Sequence, residues 1–520
     1  MTDRPNYVHE ALELFAGFGD REALVGGDRR LTYRQVAAEV RGLATALRRH
    51  GVRPGAAVLV MLGNTVEGPL LHLALHLLGC RAMWVAPVTS RREIDEFVAL
   101  AAPEVFVHDP RDPESGQIAA GLVGVPVLCL GPGGAGPDLT VGGDDDPADL
   151  PASGPAPESF LQTSGTTGTP KLVHHRESFY RQVLVLAAGI RSAGIPLLRH
   201  LSHSPMWLAS GQITTLVNLF TGGVLFLRER WDPAAFIATV DAERLTSTFV
   251  TPPMLYEVLD HPDLPGADFS AMFMFNVGAG PAAPARLRQA IARFGPCLRI
   301  VYGLSEAVVI CALPGLTDDP EHPERLRSCG RPYGDVTVEI RDADGRVLPA
   351  GVDGEVWART KLSFAGYHGQ PELTAETLVD GWVRTRDIGH LDDDGFLYLV
   401  DRLQDRILTR QRSWPIYSRP IEDVLAGHPE VRAAAVIGVP DPVAGELPHA
   451  YVVPAPGASV TGDDLIALVV RELSETWAPG AVEFVDALPL NRSAKVDKRA
   501  LRARYAQEHP AGADPIGSPA

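Results

Sequence analysis

A short run of glycines and small hydroxyl residues constrains this chain more than any other stretch. Residues 163–169 read T-S-G-T-T-G-T, and Pro170 and Lys171 follow. Apolar residues on both sides, Phe160-Leu161 and Leu172-Val173, predict that the loop joins two strands. Its free N–H groups, hydroxyls and lysine can cradle phosphates, with a spacing that differs from the Walker pattern G-x-x-x-x-G-K-[ST]. Taken alone, the loop fits a flexible surface connection equally well.

Length and charge narrow the class of protein. A chain of 520 residues is too long for one core and predicts two or more domains. Its net charge of -17 argues against nucleic acid or an anionic membrane as the main partner. Five scattered cysteines without a C-x-x-C pair disfavour structural zinc and a disulfide framework, and the N-terminus lacks a signal pattern. We therefore expect a cytoplasmic protein, either a monomer or a homodimer.

Alternating strand and helix patterns dominate the first part of the chain. Strands at Ala57–Leu62 and Ala82–Ala86 enclose a helix at Val66–Leu78, which predicts parallel sheets with helices on both faces. Further strands are predicted at Arg199–Ser202, Val224–Leu227, Thr248–Val250 and Met272–Asn276. From Asp335 the pattern alternates with period two around the turn D-A-D-G, which predicts a small antiparallel sheet.

Five short motifs follow the loop along the chain. They are V-G-A-G at Val277–Gly280, Y-G-L-S-E at Tyr302–Glu306, W-V-R-T-R-D-I-G-H at Trp382–His390, D-R-L-Q-D at Asp401–Asp405 and P-L-N-R-S-A-K-V-D-K at Pro489–Lys498. Each alone fits an ordinary turn or a solvated segment. Together with the loop, over residues 10–505, they resemble the adenylate-forming superfamily of acyl-CoA synthetases, peptide-synthetase adenylation domains and beetle luciferases.

The resemblance implies an α/β fold in several parts. A large N-terminal domain of doubly wound sheets, with a small antiparallel β subdomain, is expected over residues 1–402. A small, mobile α/β C-terminal domain is expected over residues 403–507, with the hinge at Gln404. Residues 508–520, rich in proline, glycine and alanine, are expected to form a disordered tail.

The resemblance also implies an ATP site. Phosphate-binding residues would be Thr163, Ser164, Gly165, Thr166, Thr167, Gly168 and Lys171. Adenine- and ribose-binding residues would be Gly278, Ala279, Tyr302, Gly303, Ser305, Asp387 and Arg402. The ring of Tyr302 can stack on adenine, and the carboxylate of Asp387 can accept both ribose hydroxyls.

Two residues carry the expected catalytic roles. Glu306 offers a hard oxygen ligand for Mg²⁺. Lys495 would bring an ammonium group to the attacking carboxylate and the α-phosphate, where it offsets the charge that builds up at phosphorus. The implied cofactors are therefore ATP and Mg²⁺, with CoA added if the acceptor is a thiol.

Several positions depart from the family pattern. The single substitutions are Ser305, where Thr is usual, and Arg386 and Ala494, where Gly is usual. In P-M-W-L-A-S-G at residues 205–211, Leu208 replaces the usual His. The segment after the hinge, Ile407–Glu422, lacks the usual glycines and is about two residues longer than the family pattern. The segment contains Arg410, Arg412 and Arg419, and Arg406 directly precedes it. These four arginines fit either a solvated surface or a site for an anionic acceptor.

The sequence constrains the identity of the acid substrate and of the acceptor less than it constrains the ATP site. A neutral pocket for an aryl or other small apolar carboxylic acid is predicted from Trp207, Leu208, Gly211, Phe249 and Gly280. Base rates within the family favour a CoA or carrier thiol as acceptor. The altered loop and Leu208 leave open an amine acceptor, or nitrite activation for N–N bond formation on an aryl amine.

Two alternatives lie outside this reaction class. The chain could be a degenerate, non-catalytic nucleotide-binding relative, although the presence of Lys495 and Glu306 argues against that alternative. ATP–pyrophosphate exchange would distinguish such a relative from an active adenylating enzyme. A luciferase-like oxygenase is also compatible with the sequence, but that chemistry belongs to a minority branch of the superfamily.

Overall fold

The computed structural model describes residues 5–87, 90–141, 150, 154–163, 171–403, 405–408, 416–441 and 444–509. The strands are β1 (Glu22–Gly26), β2 (Arg29–Thr32), β3 (Ala57–Met61), β4 (Arg81–Val85), β5 (Val105–His108), β6 (Val127–Cys129), β7 (Glu158–Thr163), β8 (Lys171–Arg176), β9 (Arg199–Ser202), β10 (Val224–Leu227), β11 (Ser247–Val250), β12 (Met274–Gly278), β13 (Leu298–Tyr302), β14 (Cys311–Leu313), β15 (Arg331–Pro332), β16 (Thr337–Arg341), β17 (Gly354–Arg359), β18 (Leu378–Val379), β19 (Trp382–Leu391), β20 (Leu397–Arg402), β21 (Val431–Asp441), β22 (Gly445–Pro454) and β23 (Ala481–Phe484).

The helices alternate with these strands along much of the chain. They are α1 (Tyr7–Phe18), α2 (Tyr33–Arg49), α3 (Glu67–Leu77), α4 (Arg91–Ala101), α5 (Pro113–Gly121), α6 (Glu177–Ser192), α7 (Ala209–Thr221), α8 (Pro233–Ala242), α9 (Pro252–Leu259), α10 (Pro284–Phe294), α11 (Pro371–Thr377), α12 (Ser418–Ala426), α13 (Gly462–Glu472) and α14 (Lys498–Glu508). No helix in the described ranges is both long and apolar enough to cross a bilayer.

Two large sheets organise the N-terminal part. One has the strand order β6-β5-β3-β4-β7-β8 and the other β15-β14-β13-β12-β11-β9-β10-β1-β2. Within the first sheet, β7 and β8 pair antiparallel, with Thr163 opposite Lys171. The prediction that the glycine-rich loop joins two strands is therefore confirmed, although residues 164–170 themselves lie outside the described residues.

Hydrophobic cores lie on both faces of each large sheet. The largest core packs α1, α2, α3, α6 and α7 between the two sheets. Helices α4 and α5 cover the outer face of the six-stranded sheet, and α8, α9 and α10 cover the outer face of the nine-stranded sheet. This arrangement confirms the predicted α/β class with doubly wound sheets.

One predicted strand lies two residues further along the chain than expected. The prediction placed it at Met272–Asn276, whereas β12 spans Met274–Gly278. Glycine weakens the interior of a strand, but Gly278 remains paired with Val301 in β13. A Cβ at Gly278 would lie 2.5 Å from the Val301 carbonyl oxygen, so glycine permits the close approach of these strands.

Two smaller sheets complete the described fold. Strands β16 to β20 form an antiparallel sheet, as predicted from the period-two pattern. Strands β21, β22 and β23 form a three-stranded sheet that packs with α12, α13 and α14. The boundary between residues 402 and 403 stays a prediction. Helix α14 includes Glu508, the first residue of the predicted tail, and residues 510–520 lie outside the described residues.

Candidate active site

The carboxyl ends of β12 and β13 form one edge of the candidate site. A Cβ at Gly303 would lie 2.0 Å from the Val308 carbonyl oxygen, so only glycine fits the turn that follows Tyr302. Ala279, directly after β12, has a φ of 68°, in the left-handed region. The carboxyl ends of parallel strands are the usual ligand-binding edge of such sheets.

A buried carboxylate lies next to this edge. The Tyr302 hydroxyl donates to Asp387 Oδ2 at 2.5 Å, and Arg402 Nε lies 3.2 Å from Asp387 Oδ1. The register of β19 and β20 places Asp387 opposite Arg402. Burial and the neighbouring Asp387 raise the pKa of Tyr302, and the same carboxylate raises the pKa of Arg402. Three predicted nucleotide-binding residues therefore contact one another through Asp387.

Glu306 is held by an aromatic residue that the motifs did not indicate. Tyr367 donates its hydroxyl to Glu306 Oε1 at 2.6 Å, and Lys171 Nζ lies 5.6 Å from the centroid of the Tyr367 ring. Burial and Glu306 raise the pKa of Tyr367. Burial, followed by the charge of Arg386, lowers the pKa of Lys171. Tyr367 thus joins the predicted metal ligand to the predicted phosphate-binding lysine.

Ser305 lies in the turn between Tyr302 and Glu306. His175 in β8 donates Nε2–H to the Ser305 carbonyl oxygen at 2.9 Å, because a carbonyl can only accept. Burial lowers the pKa of His175 to about 4, so the imidazole is neutral at pH 7. This bond connects the turn to the strand that begins at Lys171.

Lys495 lies on a turn that is closed by Asn491. Asn491 N donates to the Lys495 carbonyl oxygen at 2.7 Å, and Lys495 N donates to Asn491 Oδ1 at 3.2 Å. Ala494 has a φ of 53° in this turn, at a position where the family pattern has glycine. Burial and the charge of Arg402 lower the pKa of Lys495 to about 8, while Asp387 opposes the shift.

A cavity of about 560 Å³ brings several of the predicted residues together. The predicted site residues that line it are Ala279, Gly280, Tyr302, Gly303, Asp387, Arg402 and Lys495. Side chains from α9, α10 and α12 line it as well, so the cavity lies between the large sheets and the C-terminal part of the chain. Lys495 therefore faces the strand ends of the N-terminal part.

The other residues predicted for the acid pocket do not line this cavity. Trp207 is partly buried against the core between the two large sheets. Leu208 precedes α7, and a Cβ at Gly211 would lie 2.0 Å from the Pro205 carbonyl oxygen, which ties α7 closely to the preceding loop. A Cβ at Gly278 would lie 3.1 Å from the Phe249 ring. Their role in binding the acid stays a prediction.

Ion pairs connect the C-terminal part of the chain to the N-terminal part. They join Arg492 to Glu93, Arg432 to Asp260 at 2.9 Å and Asp423 to Arg327 at 3.6 Å. The structure thus holds Lys495 towards the cavity through contacts on several sides.

A second polar cluster was not anticipated from the sequence. Ser418, at the start of α12, donates its N–H and hydroxyl to Asp401 Oδ2 at 2.6 and 2.7 Å. Lys498 donates to Ser418 Oγ at 2.5 Å and pairs with Glu422 at 2.8 Å. These residues are between 4 and 97 positions apart in sequence, and no shared spacing pattern links them. The cluster joins β20, α12 and α14 beside the cavity.

Part of the predicted site lies outside the described residues. These positions are Ser164, Gly165, Thr166, Thr167, Gly168, Gln404, Arg410 and Arg412. Arg406 and Arg419 are described, and each donates to a backbone carbonyl oxygen, of Leu403 and Leu399 respectively.

The donor set at Glu306 fits a magnesium ion that is bound together with phosphates. An ionised carboxylate keeps lone pairs after one oxygen accepts from Tyr367. Within the described ranges, no three His, Cys, Asp or Glu side chains cluster as a complete metal site. Mg²⁺ commonly takes one or two carboxylates and completes its shell with phosphate and water oxygens.

Comparison with known proteins defines the class. Residues 13–368 match the AMP-binding enzyme family, and residues 420–495 match the AMP-binding enzyme C-terminal domain. The chain belongs to this family of adenylate-forming enzymes and is an AMP-forming ligase.

Individual relatives cover nearly the whole chain. Feruloyl-CoA synthase from Amycolatopsis is 34% identical over 489 residues, which cover 92% of this chain and 95% of the relative. The structure of the amide bond synthetase McbA from Marinactinospora thermotolerans is 36% identical, with a TM-score of 0.85 over 96% of this chain and 99% of that one. ATP-bound MatB from Rhodopseudomonas palustris is 26% identical, with a TM-score of 0.80 over 95% and 99% of the two chains.

Proposed function

We propose that the enzyme uses ATP to activate a small aryl or apolar carboxylic acid as an acyl-adenylate and transfers the acyl group to a CoA or carrier thiol. One observation carries the first step. Lys495, from the C-terminal part, lines the same cavity as Tyr302, Asp387 and Arg402 at the strand ends. A preorganised cation at a nucleotide site is the feature that this step needs.

In the first step, a carboxylate oxygen of the acid attacks the α-phosphorus of ATP. A new P–O bond forms, and the bond from α-phosphorus to the β-bridging oxygen breaks, so that its electrons leave with pyrophosphate. We assign to the Lys495 ammonium the stabilisation of the negative charge that builds up at phosphorus. Asp387 would accept the ribose hydroxyls, with Arg402 orienting it, and the Tyr302 ring would stack on adenine.

The phosphates are assigned to the β7–β8 hairpin. Thr163 and Lys171 pair at its base, which supports a role for residues 163–168 and Lys171 in phosphate binding. Mg²⁺, when bound, neutralises phosphate charge. Glu306 would provide its carboxylate ligand and Tyr367 would fix the orientation of that carboxylate.

The substrate class rests on the pocket and on one relative. The name of feruloyl-CoA synthase indicates an aryl acid and CoA for that enzyme. A neutral pocket formed by Trp207, Leu208, Gly211, Phe249 and Gly280 would favour an aryl or apolar acid here as well, and of these residues Gly280 lines the cavity that contains Lys495.

An amine acceptor is the second candidate. The similarity to the amide bond synthetase McbA covers nearly the whole chain. The segment Ile407–Glu422 also has no glycine, whereas thioester-forming relatives use glycines there to let backbone approach the thiol. Nitrite activation stays a third prediction from sequence.

The test separates the two half-reactions. Aryl, short-chain and amino acids are first screened by ATP–pyrophosphate exchange. The best acid is then offered with CoA, simple amines or nitrite, and the products are identified by mass. Saturable acyl-CoA formation supports the thiol proposal, whereas AMP release that ignores CoA but responds to an amine supports amide synthesis. The absence of exchange with every acid would contradict the proposed adenylation.

We further propose that residues 1–402 and 403–507 act as two domains that rotate about Gln404. Lys495 and the segment Ile407–Glu422 belong to the same small domain, and Glu422 at the end of that segment lines the cavity together with Lys495. We assign the part of the segment before α12 to the second half-reaction, in which Lys495 is not needed. The domain would therefore present them in turn.

A further inference from the structure

Asp260, directly after α9, is held in place by an arginine of α10. Arg286 Nη2 donates to Asp260 Oδ1 at 2.7 Å and to the Tyr256 carbonyl oxygen at 2.9 Å. Its Nη1 donates to Gln289 Oε1 at 2.8 Å, and its side chain is only 10% exposed. These bonds fix the carboxylate of Asp260 within the N-terminal part of the chain, so its other oxygen has a defined direction.

The other oxygen of Asp260 accepts from the C-terminal part of the chain. Arg432, the second residue of β21, donates Nε to Asp260 Oδ2 at 3.0 Å, and its Nη2 lies 2.9 Å from the same oxygen. A partly exposed ion pair is weakened by the entropy lost when both side chains become ordered. That loss is smaller here, because Arg286 already orders the carboxylate.

The pair between Asp260 and Arg432 lies at the edge of the candidate active site. Both residues line the cavity that contains Lys495. Both also line a second cavity of about 560 Å³, which Arg286 lines as well. The pair therefore lies at the boundary between the two cavities, where the C-terminal part closes on the N-terminal part.

Strand β21 connects Arg432 to Lys495 through a hydrophobic core. Ala435 in β21 shares this core with Leu501 of α14, and Val496 packs against it. Val496 directly follows Lys495 in the chain. A contact that fixes β21 against the N-terminal part therefore also fixes the position of Lys495.

We propose that Asp260 and Arg432 are positioning residues, which dock the C-terminal part in the orientation that brings Lys495 to the nucleotide site. This proposal rests on the proposed adenylation and on the proposed rotation about Gln404. The rotation would separate Arg432 from Asp260, while Arg286 stays bound to the same carboxylate. The pair therefore favours the adenylating orientation and forms again in each catalytic cycle.

Removing the charge of Arg432 tests this role by its effect on each half-reaction. Arg432→Gln should lower kcat for ATP–pyrophosphate exchange by about fivefold, which corresponds to a partly exposed ion pair at the upper end of the usual range. The KM for ATP and the rate of acyl transfer from supplied acyl-adenylate should not change, since neither depends on docking in this orientation. Arg432→Lys should recover part of the loss, because it restores the charge.

A crosslinking rate measures docking without the reaction. In Glu93→Cys/Arg492→Cys, the two cysteines replace another ion pair between the two parts of the chain. Adding Arg432→Gln should slow the crosslinking of these cysteines by about the same fivefold factor. Once crosslinked, this variant should exchange pyrophosphate as fast as the crosslinked enzyme that retains Arg432, because the crosslink replaces the docking contact.

Arg471 in α13 provides a matched control. It is an exposed arginine of the C-terminal part, and it pairs with its neighbour Glu472 at 3.0 Å within the same helix. Arg471→Gln makes the same chemical change as Arg432→Gln. Its exchange, transfer and crosslinking rates should equal those of the corresponding protein with Arg471.

Two results would overturn the proposal. One is an unchanged rate of either exchange or crosslinking in Arg432→Gln. The other is a loss of exchange that persists after crosslinking, which would show that Arg432 acts on folding or chemistry and not on docking. The proposed adenylation fails separately: a wild type that adenylates no acid would refute adenylation, while the crosslinking rate still decides whether Arg432 docks the C-terminal part.

Discussion

Replacing Lys495 with alanine should nearly abolish adenylation while leaving acyl transfer from supplied acyl-adenylate largely intact. The ammonium is needed only while phosphorus is attacked, and the loss of one preorganised contact of this kind typically costs on the order of 10²–10³ in rate. Lys495 lines the cavity beside Arg402 and Asp387, and this position supports its assignment to the step.

The adenylation rate of the wild type should also depend on pH, by an amount that follows from the pKa of Lys495. With a pKa lowered to about 8, Lys495 is mostly charged at pH 7 and mostly neutral at pH 9. The charged fraction, and with it kcat/KM for adenylation, should therefore fall about tenfold between these values. Arginine stays charged throughout this range, so any activity that Lys495→Arg retains should not show the alkaline decline.

The assay is ATP–pyrophosphate exchange from pH 6 to pH 10, with acyl transfer from supplied acyl-adenylate measured in parallel. Exchange should lose activity on the alkaline side and in Lys495→Ala, whereas transfer should show neither loss. Unchanged exchange in Lys495→Ala, or the same alkaline decline in Lys495→Arg as in the wild type, would refute the assignment.

The same burial gives Lys495 a cost in stability. Its pKa is lower in the folded state than the ordinary 10.5, so the unfolded state binds more protons between about pH 8 and 10.5, and the free energy of unfolding rises with pH in that window. The full cost, on the order of 3 kcal/mol, is present below pH 8. Lys495→Met should therefore raise the melting temperature at pH 7 and lose this advantage near pH 10.5; a lower melting temperature at pH 7 would show that the ammonium is well solvated.

Further changes test the metal ligand, the domain rotation and the packing of α7. Glu306→Gln should weaken the productive use of Mg·ATP more than acid binding, since it removes a metal ligand; loss of acid affinity that added Mg²⁺ does not restore would instead assign Glu306 to the acid site. Cysteines placed at Glu93 and Arg492 can be crosslinked selectively, because the five native cysteines are buried. The crosslink should permit adenylation and block turnover; full turnover by the crosslinked enzyme would show that rotation is not required. Gly211→Ala would bring its Cβ to 2.0 Å from the Pro205 carbonyl oxygen and should destabilise the fold by about 1–3 kcal/mol, detectable as a lower melting temperature than that of the wild type.

The fold followed from patterns that repeat along the chain. The strand–helix alternation and the change to period two depend on local apolar spacing, so sequence located the sheets and the hairpin around the glycine-rich loop. The displaced end of β12 shows the limit of such patterns. Whether Gly278 ends a strand or stays in it depends on the approach of Val301 from the neighbouring strand, and the local sequence does not contain that information.

The candidate site was predictable where a motif supplied the residue. The contact between Asp387 and Arg402 joins two such motifs, and the structure brings them together. The bond from Tyr367 to Glu306 spans 61 positions and follows no spacing pattern, so sequence gave no signal for it. Sequence identified Arg386 as unusual, but only the structure showed its left-handed backbone.

The turn closed by Asn491 has a consequence for the direction of the reaction. Bonds within this turn hold the Lys495 backbone, and Lys498, three residues further along, pairs with Glu422 of α12, so a rotation of the small domain would carry Lys495 with α12 and α14. The rotation that we predict about Gln404 would withdraw it from the α-phosphorus once the adenylate has formed. Pyrophosphate attacking in reverse would then lack the same cation, so the domain movement would commit the enzyme to the acyl-adenylate before the acceptor arrives.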